Sequence, residues 1–66
     1  MANYNIYEQD NDTFVTKKEG ASKASSSGDG KQDSWQQGQY LAHTSGGGTV
    51  TQYDKNGNII RQKYVD

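Results

Sequence analysis

One stretch of this chain changes its hydrophobic period. From Lys31 onward, Trp35, Gly38, Leu41 and Ala42 fall at i, i+3, i+6 and i+7, one face of a helix. Gln36, Gln37, Gln39 and His43 fall mainly elsewhere. Asp33 or Ser34 is placed to cap the helix by accepting bonds from its unpaired N–H groups. Ser45-Gly46-Gly47-Gly48 ends it, because glycine readily takes the left-handed conformation just beyond a helix. Gly38 costs about 1 kcal/mol against Ala in a helix interior. Close approach of the helix to a sheet would offset that cost.

The flanks read as β-structure. Residues 3 to 8 alternate loosely, with Tyr4 and Ile6 on one side, a strand pattern. Gln9-Asp10-Asn11-Asp12 is a polar turn, since Asp and Asn bond their own backbone. Thr13-Phe14-Val15-Thr16 is β-branched and aromatic and continues as a second strand toward Lys18. So short a connection makes the pair an antiparallel hairpin. Beyond the helix, Thr49 to Tyr53 and Ile59 to Val65 enclose Asp54-Lys55-Asn56-Gly57-Asn58, and Asn-Gly is a strong hairpin signal. A two-residue loop sets Asp54 opposite Ile59. A three-residue loop with Gly57 in a bulge sets Tyr53 opposite Ile59 and puts Val50, Ile60 and Tyr64 on one face; it is the preferred register. Gly20 to Gly30, with four Ser and three Gly, reads as a loop. The expected fold is α+β in the order β-β-α-β-β: a four-stranded antiparallel sheet packed on one helix, one domain over residues 1–66.

Size limits what such a fold can do. With 66 residues, 29% of them hydrophobic, the chain buries about 60% of its unfolded surface. The core is therefore small, and a partner or a second copy would add buried area. Seven basic and eight acidic residues nearly cancel, unlike the high net charge of disordered chains. A net charge of −1 gives no global field to draw in nucleic acid or a membrane. The absence of cysteine excludes disulfides and thiolate metal sites. No apolar run approaches the roughly 18 residues of a membrane span. Met1-Ala2-Asn3-Tyr4-Asn5 lacks the basic and apolar regions of a signal peptide. The expectation is a cytoplasmic protein with no membrane partner.

Four short motifs occur in a fixed order. They are Phe14 with Lys17 on the second strand, Lys18-Glu19-Gly20-Ala21-Ser22-Lys23-Ala24-Ser25, Gly38-Gln39-Tyr40-Leu41-Ala42, and Lys55-Asn56-Gly57-Asn58-Ile59. From about Tyr4 to Tyr64 the chain resembles a family of small uncharacterised bacterial proteins, the domain of unknown function 2188. Thr16 stands where that family usually has Val. Thr49-Val50-Thr51-Gln52 is less apolar than its usual third strand, and Gln52 replaces a common His. The resemblance implies a fold with a thinner core, and no activity or site.

Candidate chemistry is sparse. His43 is the only histidine; a catalytic base needs a nucleophile and an orienting acid in reach, and adjacent Thr44 and Ser45 do not make a triad. It reads as a last-turn residue complementing the helix dipole. Asp10, Asp12 and Asp29 lack the loop length and terminal Glu of a calcium hand and read as turn residues. Gly28-Asp29-Gly30-Lys31 has the wrong spacing for a phosphate loop. No enzyme activity, cofactor or metal is expected. Lys17, Lys18, Lys23 and Lys31 bracket the Ser/Gly loop and, with nearby Tyr4, Tyr7 and Phe14, form a candidate single-strand nucleic-acid patch, diluted by Glu19, Asp29 and Asp33. Trp35 reads as core. One helix covers one face of the sheet. Tyr7 and Tyr53, alternating onto the other, are the candidate interface for a protein partner or for a homodimer. The leading expectation is a small non-catalytic interaction or structural module. The alternative is a weak nucleic-acid-binding accessory protein.

Overall fold

The structure, a computed structural model, describes residues 2–66. Met1, read above with the N-terminal segment, lies outside them. Strands β1 (Tyr4–Glu8) and β2 (Phe14–Lys18) form an antiparallel hairpin, closed by a 3-10 turn at Asp10–Asp12. Strand β3 (Ser26–Asp29) follows, then helix α1 (Lys31–Thr44), then β4 (Gly48–Tyr53) and β5 (Ile59–Val65). The class is α+β with one helix. The sheet has five strands rather than four, is mixed rather than antiparallel, and runs β3-β2-β1-β4-β5.

The two corrections share one cause. Ser26 to Asp29 lies inside the expected Gly20 to Gly30 loop and carries no apolar residue. It nonetheless pairs antiparallel with β2, Val15 opposite Ser27 and Thr16 opposite Ser26. That pairing adds one more traverse before the helix. Strand β3 therefore runs with β1, α1 carries the chain back, and β4 emerges parallel to β1, with Ile6 beside Gln52 and Tyr7 beside Tyr53. A two-strand start would have made β4 antiparallel to β1.

Helix α1 begins at Lys31, earlier than an Asp33 or Ser34 cap allows, with Gly30 at the cap position and no side-chain cap bond. Ser34 lies inside the first turn, where its hydroxyl donates to the Lys31 carbonyl at 3.0 Å. The helix ends in a Schellman motif: the Gly47 N–H reaches the Ala42 carbonyl at 2.8 Å and the Gly46 N–H the His43 carbonyl at 3.1 Å. Gly46, at φ 90°, supplies the left-handed residue this needs.

Trp35, Gly38 and Ala42 are buried and Leu41 half-buried, so the apolar stripe of α1 faces the sheet. It meets Tyr4 and Ile6 from β1, Phe14 from β2 and Val50 from β4, and with Ala2 these form the buried apolar core. A polar network completes the same layer. Gln52, fully buried, donates to the Lys31 carbonyl at 2.8 Å and to the Ser34 hydroxyl at 3.0 Å. Its carbonyl oxygen accepts from Arg61 Nε at 2.8 Å, and the Arg61 guanidinium lies 4.6 Å from the Trp35 ring centroid.

The terminal hairpin takes the three-residue loop. Tyr53 faces Ile59, and the Gly57 N–H donates to the Asp54 carbonyl at 3.0 Å with Gly57 at φ 86°. A bulge follows at once: Tyr53 pairs with Ile59, but Gln52 pairs with Arg61, leaving Ile60 unpaired. Ile60 and Arg61 thus both turn toward the helix layer. Beyond them the alternation is inverted, so Tyr64, expected on the face of Val50, lies opposite Thr49 on the other face and is exposed.

Candidate binding face

Alternation along each strand decides what lies on the uncovered side. Ile6 and Gln52 are buried under α1, so their neighbours Tyr7 and Tyr53 project from the opposite face. These two are register partners across the parallel β1–β4 pair, and their rings stack with centroids 5.2 Å apart and planes 11° apart. Ile59 lies across from Tyr53, and Val15 across from Tyr7. The result is an apolar row, Ile59-Tyr53-Tyr7-Val15, crossing four strands and spanning about 14 Å. Tyr7 is 41% exposed and Ile59 58%.

A polar row runs beside it: Gln62, Thr51, Asn5 and Lys17, again register partners in turn. The Gln62 amide donates to the Thr51 hydroxyl at 2.8 Å. Further along, the Asn3 amide donates to the Glu19 carboxylate at 2.9 Å, and Asn3 Oδ1 accepts the Thr49 N–H at 3.0 Å. This bridge ties the start of the 19–25 loop to the middle of the sheet. Behind it the loop rises over the β1–β2 side of the face and walls an open cleft of about 630 Å³, lined by Tyr7, Val15 and Lys17 on the floor and by Gly20, Ala21 and Ala24 on the loop.

The four candidate lysines do not form one patch. Lys17 is half-buried on the open face, and Lys18, ending β2, reaches the rim of the cleft. Lys23 is exposed on the loop and Lys31 begins α1 in the other layer; neither lines the cleft. Tyr4 and Phe14, grouped with the lysines in the sequence, are buried beneath the helix. Tyr7 and Tyr53, by contrast, are brought together. Val15, Ile59 and, in the polar row, Gln62, Thr51 and Asn5 were missed. Val15 and Ile59 follow from strand alternation once the register is known; Gln62 and Tyr64 depend on the bulge at Ile60, which no residue pattern announces.

The other candidates are engaged in local structure. His43 Nδ1 lies 2.6 Å from the main-chain oxygen of Asp66. The Thr44 and Ser45 hydroxyls both donate to the Leu41 carbonyl, at 3.1 and 2.9 Å. The Asp10 carbonyl accepts the Thr13 hydroxyl at 2.6 Å, and the Asp29 carboxylate accepts the Ser26 hydroxyl at 2.6 Å. Among the described residues no three His, Asp or Glu side chains gather where they could hold a metal ion, and no helix is long and apolar enough to cross a membrane. Comparisons of the chain with protein-family models, with curated proteins and with solved structures find no match.

Proposed function

We propose that this protein is a small, non-catalytic, cytoplasmic interaction module that associates with a second copy of itself through the open face of its sheet. The observation that carries this reading is the row Ile59-Tyr53-Tyr7-Val15, apolar, side by side in register and uncovered by the helix. Tyr suits such a face because its ring buries well while its hydroxyl stays wet. A standard interface buries about 800 Å² per partner, about a fifth of the 4073 Å² surface, and a second sheet packed face to face would sit roughly 10 Å away. The kinship with the domain of unknown function 2188 belongs to this proposal and rests on the four motifs above.

Light scattering across a concentration series tests it. The mass should rise from 7.3 kDa toward twice that value, and Tyr7→Lys should hold it at the monomer. A mass that stays at the monomer at every concentration removes the homodimer.

One observation favours the nucleic-acid alternative: Lys17 stands one strand over from Tyr7 on the same face. The dispersal of Lys23 and Lys31 opposes it, since strand binding needs a continuous basic track. Titration with short DNA and RNA at two salt concentrations distinguishes the readings, because phosphate contacts give salt-sensitive binding.

A further inference from the structure

We propose that the cleft between the open face and the 19–25 loop binds a single planar ring bearing an anionic group, of which a nucleoside monophosphate is the working example. The proposal concerns one chain and does not rest on self-association, which would compete with it for Tyr7 and Val15.

Three features of the cleft converge on that chemistry. The first is its size. At about 630 Å³ it falls within the range of small-molecule sites, roughly 300–1,000 Å³. The second is its wall. Tyr53 covers the β4 side of the Tyr7 ring in a near-parallel stack. The opposite side of that ring looks toward β2, where the cleft opens. A planar ligand there extends an existing stack against a ring already held in place, and Val15 supplies an apolar floor. Base–aromatic stacking of this kind tolerates any planar ring.

The third feature is charge. Lys17 lines the cleft beside one acid, Glu19, whereas Lys18, the register partner of buried Tyr4, alternates onto the helix side. One oxygen of the Glu19 carboxylate is taken by the Asn3 amide. Lys17 extends from the polar row beside Tyr7, which sets a cation next to the stacking surface. Ser22 and Ala24 line the loop side of the cleft, and among the described residues their amides make no main-chain bond. A single anionic unit fits this arrangement and a strand does not, because the remaining candidate lysines lie elsewhere.

Titration of the nitrogen-15-labelled chain with adenosine monophosphate tests the proposal, with adenosine, inorganic phosphate and a short oligoadenylate as parallel arms. Amide shifts should be confined to Tyr7, Val15, Lys17 and the 20–24 loop. The monophosphate should bind about tenfold more tightly than adenosine or phosphate, since only it uses both ring and charge. Tyr7→Ala and Lys17→Ala should each weaken binding about tenfold, Tyr7→Phe should preserve it, and Lys31→Ala should leave it unchanged. Glu19→Gln should strengthen it several-fold by removing the opposing charge. Ile59→Lys, which breaks the proposed dimer without touching the cleft, should bind at least as tightly as the wild type, because the dimer would cover Tyr7 and Val15. The absence of shifts in Ile59→Lys at millimolar monophosphate overturns the proposal. So do shifts centred on Lys31, loss of binding in Ile59→Lys, or affinity that climbs with oligonucleotide length and falls steeply with salt. The last result would establish a strand-binding groove instead.

Discussion

Thr16 sits in the middle of β2 with its side chain under the helix, 0% exposed, and its hydroxyl has no partner among the described residues. A buried hydroxyl left unpaired costs about 1–3 kcal/mol. Valine has the same shape and no polar atom. Thr16→Val should therefore stabilise the fold by about 1–2 kcal/mol, with Thr16→Ser less stable than wild type because it keeps the hydroxyl and loses the methyl. Urea unfolding of the three proteins checks the order; a Val variant no more stable than wild type would mean that the hydroxyl is satisfied. Gly38 presents the opposite case. A Cβ there would lie 2.7 Å from Ile6 Cδ1 and 2.9 Å from Val50 Cγ1. Both neighbours are fully buried, and Val50 is stiff at χ1. Alanine would gain about 1 kcal/mol of helix propensity, but overpacking costs about 1–3 kcal/mol. Gly38→Ala should come out destabilised, and adding Ile6→Val, which removes Cδ1, should cost less than the two changes summed. The close approach was legible in the sequence because a glycine in the apolar stripe of a helix has few other uses. The unpaired hydroxyl of Thr16 was not legible, because it depends on what packs over β2.

Elements differ in how much of them resides in their own residues. Helix α1 was readable from its stripe and its glycine stop, because both depend on residues inside the segment. Its first turn was not, since Gly30 starts the helix without a capping side chain. Strand β3 was invisible: Ser-Ser-Gly-Asp becomes a strand only because β2 offers it a ladder. The bulge at Ile60 was invisible for the same reason, and it re-aimed Arg61 onto Trp35 and Gln52. Between β2 and β3 the decisive local residue is Gly20. The Ala21 N–H donates to the Lys18 carbonyl at 3.0 Å, closing a turn with Gly20 in its third position at φ 84°. That position requires a positive φ. Nothing lies within 4 Å of a Cβ built there, so backbone conformation alone sets the cost of a side chain. Gly20→Ala should lose about 1–2 kcal/mol, Gly20→Val more because of its branched Cβ, and Gly20→Asn less. Lys23→Ala, on the same loop and exposed, should stay within about 0.5 kcal/mol of wild type. A thermal melt of the four variants reads the series directly. If Val were tolerated as well as Asn, the turn would not be fixing the loop that walls the cleft.

At the scale of the molecule the question is where a second copy can attach, and the edges of the sheet are poor places. Strand β3 is short and contains Gly28 at φ 81°, with a register shift at Phe14/Val15. Strand β5 is longer, but its bulge breaks the ladder, and Lys63 alternates onto the helix side of an outermost strand. Bulges and inward-pointing charges are what keep natural sheet edges from pairing. The open face carries no such protection along Ile59-Tyr53-Tyr7-Val15. A dimer formed there couples folding to association, because its native state contains two chains and its unfolded state one. Above the dissociation constant, each tenfold rise in concentration should then stabilise the dimer by about 1.4 kcal/mol. That is about 0.7 kcal/mol per chain, which for a domain of this size raises the unfolding midpoint by roughly 3–6 °C. Melting curves over a hundredfold range of concentration should show that slope in the wild type. Tyr7→Lys, exposed and outside the core, should flatten it while keeping a cooperative transition at the lowest concentration. A midpoint independent of concentration in the wild type would leave the open face uncovered in solution, and the small core under α1 would then stabilise the chain alone.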